Sequence, residues 1–176
     1  MGSGKSTLGR LLTRETGIVF IDLDSYIENR YHRSIGQLFS ERGEEGFREI
    51  EREMLHEVSE MQDVVIACGG GTPCFFDNMD HMNKSGTTIW LTAPISILHS
   101  RLMRGRHKRP LIATMDSEQL WDFISVSLKK REPYYSKAKD HFDTALLETE
   151  SDREETAHRF IKQFMPSYGK SRNSDS

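Results

Sequence analysis

Met1-Gly2-Ser3-Gly4-Lys5-Ser6-Thr7 opens the chain, and the reading of these seven residues decides the rest. Gly4-Lys5-Ser6 ends the pattern G-x-x-x-x-G-K-[ST], which follows a buried strand and starts a helix. Glycine lets successive backbone N–H groups turn inward around phosphate oxygens, where a Cβ would block the approach. The helix that follows aims the positive end of its dipole at the same anion. Leu8, Leu11 and Leu12 recur at helical spacing directly afterwards, which is the context the pattern needs. In such a loop Gly2, Ser3, Gly4, Lys5, Ser6 and Thr7 bind ATP, Lys5 reaches the β- and γ-phosphates, and the Ser6 hydroxyl is a Mg2+ ligand. A chance glycine–serine segment is the competing explanation, and the remainder of the chain argues against it.

The 176 residues suit one domain with a real core, 36% hydrophobic and 29% charged. A net charge of −3 argues against nucleic acid or an anionic membrane as the main partner. No apolar run approaches a spanning helix, and a cytoplasmic location is expected. Cys68 and Cys74 suit a reducing compartment, and as a metal pair they lack a second ligand pair at suitable spacing. They read as core or site-wall thiols.

Downstream of the loop, Gly17 stands where a helix C-cap belongs, and Ile18-Val19-Phe20-Ile21 reads as a strand buried on both faces. It runs into Asp22-Leu23-Asp24, carboxylates at the C-terminal strand end where open α/β sheets bind ligands. A short helix follows from Asp24 to Tyr31. A second begins near Ser34, breaks at Gly43 and resumes to about Met61, with Phe47, Ile50, Met54, Leu55, Val58 and Met61 as its buried stripe. Arg48 lies off that stripe. Val64 to Ala67 is the next buried strand and leads to Gly69-Gly70-Gly71, which reads as a tight turn or, better, a close approach of main-chain N–H groups to a ligand.

A short helix from Asp77 to Lys84 closes at Gly86, Thr88 to Leu91 is a strand, and Pro94 starts a helix with Ile95, Leu98 and Leu102. The cationic segment Arg104-Gly105-Arg106-His107-Lys108-Arg109-Pro110 then reads as part of a lid over about 104–117. Glu118 to Lys130 is helical, Pro133 interrupts it, and His141 to Leu146 is a last strand. Ala157, Phe160, Ile161 and Phe164 mark a final helix, so the domain spans 1–165 and residues 166–176 read as a disordered tail. Strands alternating with helices give an α/β three-layer fold with a parallel sheet.

Phosphoryl transfer needs positioning and neutralised charge more than covalent help. Asp22 is placed to hold Mg2+ through water, and Asp24 to take or orient an acceptor hydroxyl proton. Arg109 is placed to close over the triphosphate and exclude water. Arg48 and Arg131 remain to grip a carboxylate on the acceptor.

Taken together, G-x-G-K-[ST] at Gly2 to Ser6, D-x-D at Asp22 to Asp24, F-R-x-x-E at Phe47 to Glu51, G-G-G at Gly69 to Gly71, R-P-L at Arg109 to Leu111 and R-x-x-x-Y at Arg131 to Tyr135 resemble the shikimate kinase family over nearly the whole chain. Each motif alone is weak; six in order are specific. The resemblance implies transfer of phosphate from ATP to the 3-hydroxyl of shikimate, in the biosynthesis of chorismate and the aromatic amino acids. It implies catalytic roles for Lys5, Asp24 and Arg109, and shikimate binding by Asp24, Arg48, Gly69, Gly70, Gly71 and Arg131. Ser6, and Asp22 through water, would serve Mg2+, in a monomer that binds neither nucleic acid nor membrane.

It also implies a phosphate-loop kinase fold with five strands in the order 2-3-1-4-5. The family's first strand and first loop glycine have no counterpart here, so the expectation is a truncated or mis-started chain. A gap of about 9–10 Å is then expected at the sheet centre, with weak folding or weak ATP binding. Arg153 is a possible adenine-side arginine. Three other readings remain open: another small-molecule kinase acting on gluconate or a nucleoside monophosphate, a degenerate nucleotide-binding domain without activity, and nucleic-acid binding by Arg104 to Arg109.

Overall fold

The computed structural model describes residues 2–168. Local chemistry accounts for most element boundaries. Helix α1 (Lys5–Thr16) starts at Gly4 and stops at Gly17, both in left-handed backbone (φ 83° and 76°) that favours glycine. Strand β1 (Val19–Asp22) leads directly into α2 (Leu23–Tyr31). Helix α3 (Ile35–Ser59) is opened by a capping box between Ser34 and Gln37 and is kinked at Gly43, whose φ of 69° is not helical. Its stripe is buried through Val58, but Met61 lies beyond the helix end and is 41% exposed, correcting the sequence expectation. Strand β2 (Val64–Ala67), α4 (Asn78–Ser85), β3 (Ile89–Thr92) and α5 (Ile95–Gly105) follow as the hydrophobic pattern requires.

The segment after α5 is not a plain loop. It makes two short 3₁₀ turns, at Arg106–Lys108 and Pro110–Ile112, and Arg106 Nη1 donates to the Met115 carbonyl at 2.9 Å. Helix α6 (Ser117–Tyr135) is capped by Asp116 and runs straight through Pro133, where an interruption was expected. So near the C-terminal end proline removes one hydrogen bond, that to the Lys129 carbonyl, and the helix tolerates the loss. Strand β4 (Asp140–Asp143) is shorter than its apolar pattern suggested, and α7 (Glu150–Phe164) closes the domain. The expected disordered tail lies largely outside the described residues. Within them, Tyr168 packs on the α1–α7 core and donates to Asp63 at 3.2 Å.

The strands form two parallel pairs, β1–β2 with Val19 opposite Val64, and β3–β4 with Ile89 opposite Asp140. The two pairs are separate sheets. Between them lies a cavity of about 1010 Å³, walled by Val64 to Ala67 on one side and Ile89 to Thr92 on the other, with Leu8, Leu12, Phe160 and Phe164 among its lining. This is the gap at the sheet centre that the sequence led us to expect. It also explains why β2 and β3 are mostly half-buried although β2 reads in sequence as a buried strand. Three apolar clusters surround it: α1 with α7 and Phe142, α2 with α3, and α5 with α6 and Ile112.

Candidate functional site

The C-terminal ends of β1 and β2 deliver the charged residues to one place. The Ser6 hydroxyl, in the first turn of α1, donates to Asp22 Oδ2 at 2.8 Å. Two hard oxygens thus stand side by side at the mouth of the glycine loop, a donor set that fits Mg2+ completed by water and phosphate. Lys5 sits within the fields of Asp24 and Asp22. Burial nevertheless pushes its pKa down, and the Arg109 charge adds slightly to that. Asp24 is in the first turn of α2 and opens onto the cleft. Its pKa is raised, first by loss of hydration and then by the Asp22 and Glu51 carboxylates.

The three glycines owe their place to space. None of them has positive φ. A Cβ at Gly70 would lie 2.8 Å from Arg131 Nη1, and one at Gly71 would lie 2.8 Å from Arg48 Nη2. A Cβ at Gly69 would lie 3.3 Å from Asp24 Oδ1. The loop therefore lets two guanidinium groups and the Asp24 carboxylate close on one stretch of backbone. Tyr135 fixes that stretch by donating to the Gly70 carbonyl at 2.6 Å.

Arg48 is held by more than its backbone. Its Nη1 donates to Glu51 Oε2 at 2.7 Å, and its guanidinium stacks over the Phe75 ring at 4.1 Å. Its Nη2 lies 3.6 Å from Glu44 Oε1, and its Nε is buried without a partner among the described residues. Glu51 is 1% exposed and also accepts from the Thr72 hydroxyl at 2.5 Å. The sequence reading quoted Glu51 but gave it no role; its i,i+3 spacing from Arg48 on α3 was the available signal. Breaking a buried, hydrogen-bonded ion pair costs about 3–5 kcal/mol. Glu51→Ala should therefore lower the thermal midpoint by about 10 °C, read by circular dichroism.

The remaining candidates divide. Arg109 is exposed between the two 3₁₀ turns, with Nη1 3.8 Å from where a Cβ on Gly105 would stand. Arg153 turns inward to the chain itself, donating to the carbonyls of Leu147 at 3.0 Å and Glu148 at 3.1 Å. Cys68 is half-buried against Met82, and loss of hydration pushes its thiol up to about 12, far from a metal-binding thiolate. Among the described residues no cluster of three or more His, Cys, Asp or Glu could hold a metal alone. No described helix is long and apolar enough to cross a membrane.

A glycine loop opening a helix, with its lysine and serine beside a strand-end aspartate, fits the phosphate-loop kinase class. Comparison with known proteins narrows the class. The family model of shikimate kinase matches residues 1–165. A shikimate kinase of Parabacteroides distasonis is 51% identical over 162 residues, covering 92% of this chain and 94% of that one. One from Phocaeicola vulgatus is 54% identical over 148 residues, covering 84% and 85%. The crystal structure of the Bacteroides thetaiotaomicron enzyme superposes with a TM-score of 0.89 at 45% identity, covering 93% of each chain. The solved structure of shikimate kinase from Acinetobacter baumannii in complex with shikimate gives a TM-score of 0.78 at 28% identity, covering 95% of this chain and 89% of that one. The chain belongs to the shikimate kinase family.

Proposed function

We propose that this protein transfers the γ-phosphoryl group of ATP to the 3-hydroxyl of shikimate. The observation that carries this reading is the convergence of Arg48, Arg131 and Asp24 on Gly69 to Gly71, in reach of the cluster formed by Lys5, Ser6 and Asp22. Two guanidinium groups suit the single carboxylate of a small hydroxy acid. Asp24 then meets the hydroxyl that attacks, as base or as orienting acceptor. The loop from Gly2 to Thr7 supplies inward N–H groups to the phosphates, and Lys5 neutralises charge on the transferring group. Bound Mg2+ would add charge neutralisation, held by Ser6 and, through water, by Asp22. Arg109 on the segment over 104–117 would cover the nucleotide and keep water out.

A coupled assay offering shikimate, gluconate and nucleoside monophosphates tests the assignment: turnover with shikimate alone is expected, and turnover with another acceptor alone would overturn it. Arg131→Ala should raise the KM for shikimate by about tenfold or more, because a charged hydrogen bond is lost, and leave the KM for ATP within about twofold. A rise confined to ATP would contradict the carboxylate role. The chain's net charge of −3 favours a small-molecule kinase over nucleic-acid binding. A monomer in the cytoplasm remains our expectation.

A further inference from the structure

The glycine loop must present its N–H groups to the phosphates, and in a planar trans peptide the C=O points opposite to the N–H. Whatever grips the Gly2 and Ser3 carbonyls from behind therefore aims the N–H groups of Ser3 and Gly4. Both carbonyls are gripped from the β3–β4 side of the molecule. Thr144, just after β4 and 0% exposed, has its hydroxyl 2.8 Å from the Ser3 carbonyl and 2.9 Å from that of Thr92. The Thr92 carbonyl also accepts the Thr144 backbone N–H at 2.8 Å, so it stays paired when the single hydroxyl proton goes to Ser3. Arg101, on α5 and largely buried, donates to the Gly2 carbonyl at 3.4 Å. The same guanidinium donates to the carbonyls of Thr144 and Ala145, each at 2.9 Å, and to Glu148 Oε1 at 2.9 Å. Arg104 pairs with Glu148 as well. Leu147 completes the backing, since a Cβ at Gly4 would collide with its side chain.

The front of the loop is tied to the other half of the molecule, through Ser6 and Asp22 on β1. We infer that Thr144 and Arg101 are positioning residues for the nucleotide: they hold the Gly2 and Ser3 carbonyls so that the Ser3 and Gly4 N–H groups face the triphosphate. This rests on the kinase reading above and adds two residues that touch neither reacting atom.

The test compares Thr144→Val, which is isosteric but cannot donate, with Thr144→Ser, which can. Affinity for Mg-ATP and for shikimate is measured by calorimetry on the full chain, alongside thermal unfolding. Thr144→Val should weaken ATP by about tenfold through the unpaired Ser3 carbonyl and leave shikimate affinity within about twofold. Thr144→Ser should return ATP affinity to within about twofold of the parent. Arg101→Lys, which cannot span three carbonyls and a carboxylate, should weaken ATP similarly. Unchanged ATP affinity in Thr144→Val would overturn the proposal. Equal weakening of both ligands with a lowered unfolding midpoint would also overturn it, showing a purely structural role. Failure of the parent chain to bind Mg-ATP would instead overturn the kinase reading on which the proposal stands.

Discussion

Asp24→Asn is expected to cut turnover on shikimate by roughly 10²–10⁴-fold while ATP affinity barely changes. The substitution keeps the shape and removes the group that can accept the acceptor hydroxyl's proton. The same residue sets a pH dependence whose sign follows from its surroundings. Loss of hydration, then the Asp22 and Glu51 charges, raise its pKa above the ordinary 3.8. The folded state thus holds this proton more tightly than the unfolded chain does. The stability Asp24 contributes is fully present below pH 3.8 and is lost as pH rises through the raised folded value. At pH 7 the ionised carboxylate is a cost to the free enzyme, so Asp24→Asn should show a small rise in unfolding midpoint together with its collapse in rate. The acid limb of the parent's kcat/KM should lie above the ordinary aspartate value of 3.8. Unchanged turnover would remove Asp24 from the chemistry, and a variant that loses stability at neutral pH would overturn the raised pKa.

How far the sequence carried these conclusions depended on the range of the interactions. Gly17, Gly43 and Ser34 act within a few residues of themselves, so the end of α1, the kink in α3 and its start were legible. The site motifs were legible for a related reason, since Lys5, Asp22, Asp24 and the three glycines each sit at or beside a strand end or helix start that their own neighbours define, while Arg48 stood out as a charge off the buried stripe of α3. Met61 failed because a period continues on paper after the helix has stopped at Ser59. Pro133 failed because its cost falls with proximity to a helix end. Thr144 and Arg101 could not be read at all: their loop partners are 141 and 99 residues away, and nothing in their own neighbourhoods marks them. The triglycine was read as room for ligand contact, and the structure adds that the Arg131 and Arg48 guanidinium groups close on Gly70 and Gly71.

The other large effect concerns the space between the two strand pairs. Joining an extended apolar segment ahead of Met1, four to five valine, isoleucine or leucine residues and a short glycine-containing turn, is expected to raise the unfolding midpoint by about 10 °C or more. One strand fits between two others when these stand about 9–10 Å apart. Such an occupant would pair with the free edges of β2 and β3, whose residues line the cavity. Ordering each added residue costs about 1–2 kcal/mol, while each buried aliphatic side chain contributes about 1.5–3 and each new ladder bond about 0.5–1.5. The balance favours filling by several kcal/mol. ATP affinity should rise as well, because Ser3 and Lys5 line the same cavity and the loop's two tethers lie on opposite sides of it. A matched segment with serine and lysine in place of the aliphatic residues should give neither effect, since it cannot cover Leu8, Leu12, Phe160 and Phe164. An apolar segment that left the midpoint and ATP affinity where they were would mean the two half-sheets are already as closely coupled as the chain requires.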